Sequence, residues 1–286
     1  MYTTLISAQQ LQTLLSSGQP LMVFDCSFEL MQPAAGDQQY QQAHIPGAVR
    51  ADLDRHLSAS KTGCSASGGR HPLPTLETFA AWLSGIGFTN NMQAVVYDRQ
   101  GANYCGRLWW MLKWAGHEAV AVLDGGLQAW QASGGVTEQG LTAEMTATSS
   151  FTPAPNHARL VATDMIIQQL GRPTQILIDA RGAPRFKGEV EPIDPVAGHI
   201  PGAVNRPFTQ NFAADGTFKP AAELKAEFEA LLAGRDPATV VHHCGSGVSA
   251  VPNIIAMEIA GLGPTALYAG SWSEWCSDTR RPMARS

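Results

Sequence analysis

Cys244 heads the heptapeptide Cys244-Gly245-Ser246-Gly247-Val248-Ser249-Ala250, in which a thiol is followed by two glycines and two hydroxyl residues. The run before it, Ala238-Thr239-Val240-Val241-His242-His243, reads as a buried strand. Residues 250–260 read as a helix whose first turn tolerates Pro252. Cys244 is therefore expected on a strand-to-helix turn at the carboxyl end of a sheet, where ligands of α/β folds gather. Gly245 and Gly247 permit a tight turn whose successive backbone N–H groups point inward. Such a cradle at a helix N-terminus favours negative charge and so the thiolate, and it can hold the charge of a covalent sulfur adduct. A thiolate held this way is a nucleophile that needs no metal. A buried structural cysteine in a glycine-rich connection fits the same residues, because free Cys is among the most buried residue types. The loop alone leaves both readings open.

The elements that would position this loop occur twice. His44-Ile45-Pro46-Gly47-Ala48-Val49 recurs letter for letter as His199-Ile200-Pro201-Gly202-Ala203-Val204. In the same order, an apolar run ending in Asp25 is echoed by Ile176-Leu177-Ile178-Asp179, Val95-Val96-Tyr97 by Val240-Val241-His242, and residues 125–130 by 270–275. Each copy alternates short apolar runs with amphipathic stretches such as 76–86 and 221–232, the pattern of helices laid on a parallel sheet with right-handed connections. The expected organisation is a first domain over 1–135, a linker over 136–157 rich in Gly, Thr, Ser and Pro, and a second domain over 158–286. The alignment of Val95-Val96-Tyr97 with Val240-Val241-His242 sets Asp98-Arg99 opposite His243-Cys244, so the first copy lacks the cysteine. It is expected to be a structural partner, with Cys105 packed in its following helix.

Composition excludes several classes. Of 286 residues 44% are hydrophobic and 15% charged, which is ordinary for a globular chain with sizeable cores. A net charge of -5 argues against a nucleic-acid partner. No long apolar run or basic leader is present, so a soluble, cytoplasmic protein with no membrane partner is expected. The five cysteines, Cys26, Cys64, Cys105, Cys244 and Cys276, are odd in number and lack CxxC or metal-like spacing. They read as free thiols, with Cys64 in a polar loop the one candidate for redox sensitivity.

The heptapeptide resembles the active-site loop of the tandem-rhodanese sulfurtransferases, and of their mercaptopyruvate type, usually written CG(S/T)GVTA. The resemblance extends over nearly the whole chain: both HIPGAV segments, Asp179-Ala180-Arg181 with Arg185-Phe186, Trp109-Trp110-Met111, and Ser271-Trp272-Ser273-Glu274-Trp275. Ser249 stands where threonine is usual and keeps the hydroxyl. The resemblance implies an α/β fold of two tandem rhodanese-like domains, each a parallel sheet flanked by helices. It implies a ping-pong reaction without a cofactor, in which Cys244 takes sulfur from 3-mercaptopyruvate as a persulfide. The persulfide then passes to cyanide, a small thiol or thioredoxin. Arginines of the DAR-x-x-x-RF segment bind the substrate in the family, which carries that role to Arg181 and Arg185. They follow a buried strand, and a guanidinium fork grips a carboxylate in a way lysine cannot. An ion pair with Asp179 or Glu189 is the structural alternative for either. Gly245, Gly247, Val248 and Ser249 complete the substrate-binding set. The family's Ser–His–Asp constellation points to Ser246, with His71 and Asp54 as partners, although the stretch 61–69 is longer than usual and Pro72 follows the histidine.

Rival readings make distinct demands. Cysteine phosphatases need an arginine after five intervening residues to bind phosphoryl oxygens, and here that position is Ala250. Thiosulfate-preferring relatives usually carry cationic residues directly after the cysteine, where this chain has Gly245 and Ser246. Thiosulfate as donor is the alternative within the class. A non-catalytic rhodanese-type binding module is the alternative outside it.

Overall fold

The computed structural model describes residues 1–60, 62–141, 149–155, 158–172 and 174–286. The chain divides into two compact units. The first comprises Met1–Cys64, Pro74–His157 and Ala213–Phe218; the second comprises Ser65–Leu73, Ala158–Phe212 and Lys219–Ser286. The short segment Ser65–Leu73 thus belongs with the second copy although it precedes it by far in sequence.

The first unit runs β1 (Leu5–Ile6), α1 (Ala8–Leu15), β2 (Leu21–Asp25), α2 (Ala35–Gln42), β3 (Val49–Arg50), α3 (Leu76–Gly85), β4 (Gln93–Tyr97), α4 (Cys105–Trp114), β5 (Val120–Leu123) and α5 (Gly126–Ala132). The second runs β6 (Arg159–Leu160), α6 (Thr163–Gln169), β7 (Ile176–Asp179), α7 (Ala183–Lys187), β8 (Val204–Asn205), α8 (Ala221–Leu232), β9 (Val240–His243), α9 (Val251–Ile259), β10 (Ala266–Leu267) and α10 (Ser271–Trp275). Both sheets are wholly parallel, in the orders β1-β5-β4-β2-β3 and β6-β10-β9-β7-β8, so the two copies share one topology. Their central strands are buried along their length, as parallel strands covered on both faces must be. No helix among the described residues is long and apolar enough to cross a membrane.

The repeated hexapeptide builds the same corner in each copy. His44 stacks on Tyr40 at 4.0 Å and its Nδ1 lies 2.8 Å from the Tyr40 carbonyl; His199 stacks on Phe186 at 3.9 Å with Nδ1 2.8 Å from the Phe186 carbonyl. Two stacked rings close a turn that feeds the edge strands β3 and β8. The repeat is therefore architectural, and the chemistry lies elsewhere.

Two details depart from the sequence reading. Sheet register pairs Asp25 with Tyr97 in the first copy and Asp179 with His243 in the second. Asp98, one residue past β4, is thus the counterpart of Cys244, which shifts the sequence alignment by one position. Two successive valines in each strand could not fix that register by themselves. Second, the described parts of the expected linker pack onto the first unit. Glu138 bridges His44, Phe151 is buried against Phe88 and His117, and the Ala154 N–H donates to the Ala115 carbonyl. Phe151 and hydrogen bonds made by Glu138, Ser149, Thr152 and Ala154 dock a segment whose composition carries no period. Residues 142–148, 156 and 157 of that stretch lie outside the described residues.

Candidate active site

Cys244 follows the last residue of β9 and is 2% exposed. Its N–H donates to Ser271 Oγ at 3.0 Å, and the Ser271 hydroxyl donates to the Tyr268 carbonyl. The Trp272 and Ser273 N–H groups donate to the carbonyls of Cys244 and Gly245 at 3.0 and 2.9 Å. The start of α10 therefore fixes the backbone at the head of the loop. Ser271 does this at φ 55°, a left-handed conformation where the equivalent residue of the first copy is Gly126. That strain is of the order of 1 kcal/mol, and the two hydrogen bonds of its hydroxyl hold it in place. In the sequence, the alignment of Ser271 with Gly126 is the one signal of this role.

Beyond Gly245 the loop turns inward. Gly247 has φ +73°, and a Cβ there would lie 2.3 Å from the Ala269 carbonyl oxygen, so only glycine fits. Among the described residues no acceptor meets the backbone N–H groups of Ser246, Val248 or Ala250, although all three residues are buried. Buried N–H groups are rarely left unpaired. The first copy shows what such a loop takes: the Asp98 carboxylate accepts N–H donors from Gln100, Ala102, Tyr104 and Cys105 at 2.8 to 3.2 Å. Counted from Asp98 and from Cys244, Gln100, Ala102 and Tyr104 correspond to Ser246, Val248 and Ala250. The first copy fills this loop with its own carboxylate; in the second copy the residue at that position is Cys244.

Ser246 Oγ lies 2.8 Å from His71 Nδ1, and both residues are buried. The segment that delivers His71 is fixed within the same unit. The Arg70 N–H donates to Ser273 Oγ at 2.9 Å, and the Leu73 N–H donates to Ser67 Oγ. Gly69, at φ +89°, leaves no room for a Cβ, which would sit 2.5 Å from the Gly270 carbonyl oxygen. The glycines that lengthen this stretch thus let it lie flat against the start of α10. Asp54 belongs to the first unit, where its N–H donates to Asp52 Oδ1.

The two arginines part company. Arg181 is 3% exposed; Nε and Nη2 donate to Asp179, Nη2 also to the Gly198 carbonyl at 2.7 Å, and the guanidinium lies 4.9 Å from the Trp272 ring centre. Burial works against the Asp179 charge, but His243 beside it and the Arg181 fork on its oxygens hold the carboxyl below the usual range. The fork of Arg181 is closed on Asp179 and the Gly198 carbonyl, with Nη1 3.4 Å from Glu191, which is the geometry of the structural ion pair with Asp179. Arg185 is more open. Its Nε and Nη2 donate to Glu191 and its Nη2 to Asp194. Nη1 meets no acceptor among the described residues and lies on the side of Gly245. Burial opposes ionisation of Glu191, yet hydrogen bonds from Arg185 and from the N–H groups of Asp194 and Ile193 keep its carboxyl low. Arg70, the neighbour of His71 and a residue that no motif marks in the sequence, pairs with Asp194 at 2.5 Å. Three guanidiniums thus face three carboxylates, Asp179, Glu191 and Asp194, and the cluster adds no net charge beside the loop.

All five cysteines are free. Burial pushes the thiols of Cys26, Cys105 and Cys276 up, away from reactivity. Cys105 opens α4 and is fully packed, and Cys64 is exposed.

Comparisons with known proteins follow this geometry. The rhodanese-like domain model matches residues 7–133 and again 163–278. A probable 3-mercaptopyruvate sulfurtransferase of Pseudomonas aeruginosa is 46% identical over 282 residues, covering 98% of this chain and 97% of that protein. A putative thiosulfate sulfurtransferase of Mycobacterium tuberculosis is 39% identical over 286 residues, covering 98% and 96%. Among solved structures, the 3-mercaptopyruvate sulfurtransferase from Leishmania major superposes with a TM-score of 0.83 at 31% identity, covering 98% of this chain and 76% of that one.

Proposed function

The chain belongs to the rhodanese-domain sulfurtransferases, and we propose that within this family it moves sulfane sulfur from 3-mercaptopyruvate through a persulfide on Cys244 to a thiophilic acceptor. The observation that supports this reading is that the backbone N–H groups of Ser246, Val248 and Ala250, in the loop headed by Cys244, meet no acceptor among the described residues, where the first copy's equivalents bind the Asp98 carboxylate. The Cys244 thiolate attacks the donor's sulfur, the carbon–sulfur bond breaks, and its electron pair passes to the enolate of pyruvate. Ser246, hydrogen-bonded to His71, supplies the proton that converts the enolate to pyruvate and recovers it from the persulfide S–H, which leaves the persulfide anionic. The N–H groups of Ser246, Val248 and Ala250 hold the persulfide charge, in a place where one such donor is worth about 10²–10³ in rate. An acceptor such as cyanide, a small thiol or thioredoxin then takes the outer sulfur and restores the Cys244 thiolate. A reducing cytoplasm suits this cycle, because it keeps the thiol available.

Thiosulfate is a dianion, and neither Gly245 nor Ser246 offers it a cation. The balanced cluster of Arg70, Arg181 and Arg185 with three carboxylates also favours a donor bearing a single carboxylate. The test is kcat/KM for the two donors with cyanide as acceptor, which reports differential transition-state binding. A value for mercaptopyruvate at least about tenfold above that for thiosulfate is expected; an equal or higher value for thiosulfate would reverse the donor assignment.

A further inference from the structure

A methyl group placed on Gly245 would lie 3.0 Å from Arg70 Nη2 and 3.6 Å from Arg185 Nη1. Two guanidiniums, from segments more than a hundred residues apart, thus converge over the residue that follows the reactive cysteine. Asp194 holds them there, with Oδ1 on Arg70 Nη1 at 2.5 Å and Oδ2 on Arg185 Nη2 at 3.0 Å. Asp194 is itself nearly fully buried, whereas Arg70 and Arg185 are 24% and 20% exposed, so both guanidiniums keep access to solvent. On each arginine the nitrogens that touch the carboxylates are spoken for. Arg70 Nε and Nη2 and Arg185 Nη1 remain without an acceptor among the described residues, and Arg70 Nε is buried in that condition.

We propose that Arg70 is a substrate-binding residue that grips the donor carboxylate together with Arg185, and that Asp194 is the positioning residue that sets the spacing of the two. This deepens the mercaptopyruvate reading and rests on it. A carboxylate bridged by two N–H-bearing guanidinium nitrogens is held by charge-assisted hydrogen bonds in one plane. Held above Gly245, it directs the rest of a short donor toward the adjoining Cys244. It also explains why the residue after the cysteine is glycine: any side chain there would occupy the clamp. Arg181, whose fork is closed by Asp179 and Gly198, takes no part.

The test uses the full chain as wild type, Arg70→Gln and Arg70→Lys in two assays. In pyruvate release from mercaptopyruvate, loss of a hydrogen-bonded charge pair raises KM about 10- to 100-fold in Arg70→Gln, with Arg70→Lys between it and wild type. In the second assay Cys244 is alkylated by iodoacetate and by iodoacetamide, which differ only in carboxylate against carboxamide and require no sulfur transfer. Arg70→Gln lowers the iodoacetate-to-iodoacetamide rate ratio about tenfold while the iodoacetamide rate stays within about twofold, which also shows that the loop is intact. An unchanged ratio, or an equal fall with both reagents, overturns the clamp. A wild type that shows the carboxylate preference in alkylation but releases no pyruvate overturns the donor reading and leaves the carboxylate site standing.

Discussion

Replacing Arg181 by lysine separates a structural arginine from a substrate-binding one. Arg181 donates through Nε and Nη2 to Asp179 and through Nη2 to the Gly198 carbonyl, and it lies over Trp272. Lysine keeps a positive charge opposite Asp179 but has no second branch. The buried Gly198 carbonyl would lose its donor, a cost of about 1–3 kcal/mol, and the stacking on Trp272 would weaken by about 0.5–1 kcal/mol. Arg181→Lys is therefore expected to lose roughly 2–4 kcal/mol of the stability of the second unit, a large share of a typical total of about 5–15 kcal/mol. Arg181→Met, which leaves the Asp179 charge buried and unpaired, is expected to lose about 3–5 kcal/mol. Urea unfolding followed by circular dichroism reads the first effect. Steady-state kinetics below the unfolding range read the second, with KM for mercaptopyruvate within about threefold of wild type in Arg181→Lys. Stability within about 0.5 kcal/mol of wild type together with a KM raised tenfold or more would refute the reasoning and return the fork to the substrate.

Two further outcomes follow from the same geometry. Gly247→Ala forces a Cβ to within 2.3 Å of the Ala269 oxygen at φ +73°; the loop must move, and since a displacement of about 1 Å can cost about 10² in rate, kcat/KM should fall about a hundredfold or more, while an unchanged value would show the cradle geometry to be irrelevant. His242 is fully buried, and burial lowers its pKa to about 3. The unfolded chain, with its histidine near pKa 6.5, binds the proton first, so this contribution to stability is complete above about pH 6.5 and is lost as pH falls toward the folded value. Between pH 7.5 and 5 it amounts to about 2 kcal/mol. In His242→Leu the fall in stability between the two pH values, read from urea midpoints, should shrink by that amount, and an undiminished fall in the variant would contradict it.

What the sequence revealed, and what it hid, follows the range of the interactions. The repeated HIPGAV segments marked two copies because each builds a local corner, a histidine stacked on a ring four or thirteen residues upstream. The reactive loop was legible because Gly245 and Gly247 encode a turn in the chain's own letters. The role of Arg181 was not, since a fork facing a ligand and a fork closed on Asp179 and Gly198 have the same sequence. Only burial distinguishes them. Register in β4 and β9 was hidden too, because a one-residue slip along adjacent valines leaves an apolar run apolar while turning each side chain to the other face. Nothing local in the sequence marks Arg70, because its partners Asp194 and Arg185 lie far along the chain. The segment Ser65–Leu73 supplies two groups that lie against the loop, His71 on Ser246 and Arg70 beside Gly245.

The central claim, that Cys244 carries the transferred sulfur, is tested most directly by mass spectrometry of the protein after incubation with mercaptopyruvate and no acceptor. The peptide containing Cys244 should gain one sulfur mass, the gain should vanish on addition of cyanide, and Cys244→Ala should show neither gain nor pyruvate release. Pyruvate release with no added mass on that peptide, or an added sulfur on Cys64 that persists in Cys244→Ala, would contradict the account.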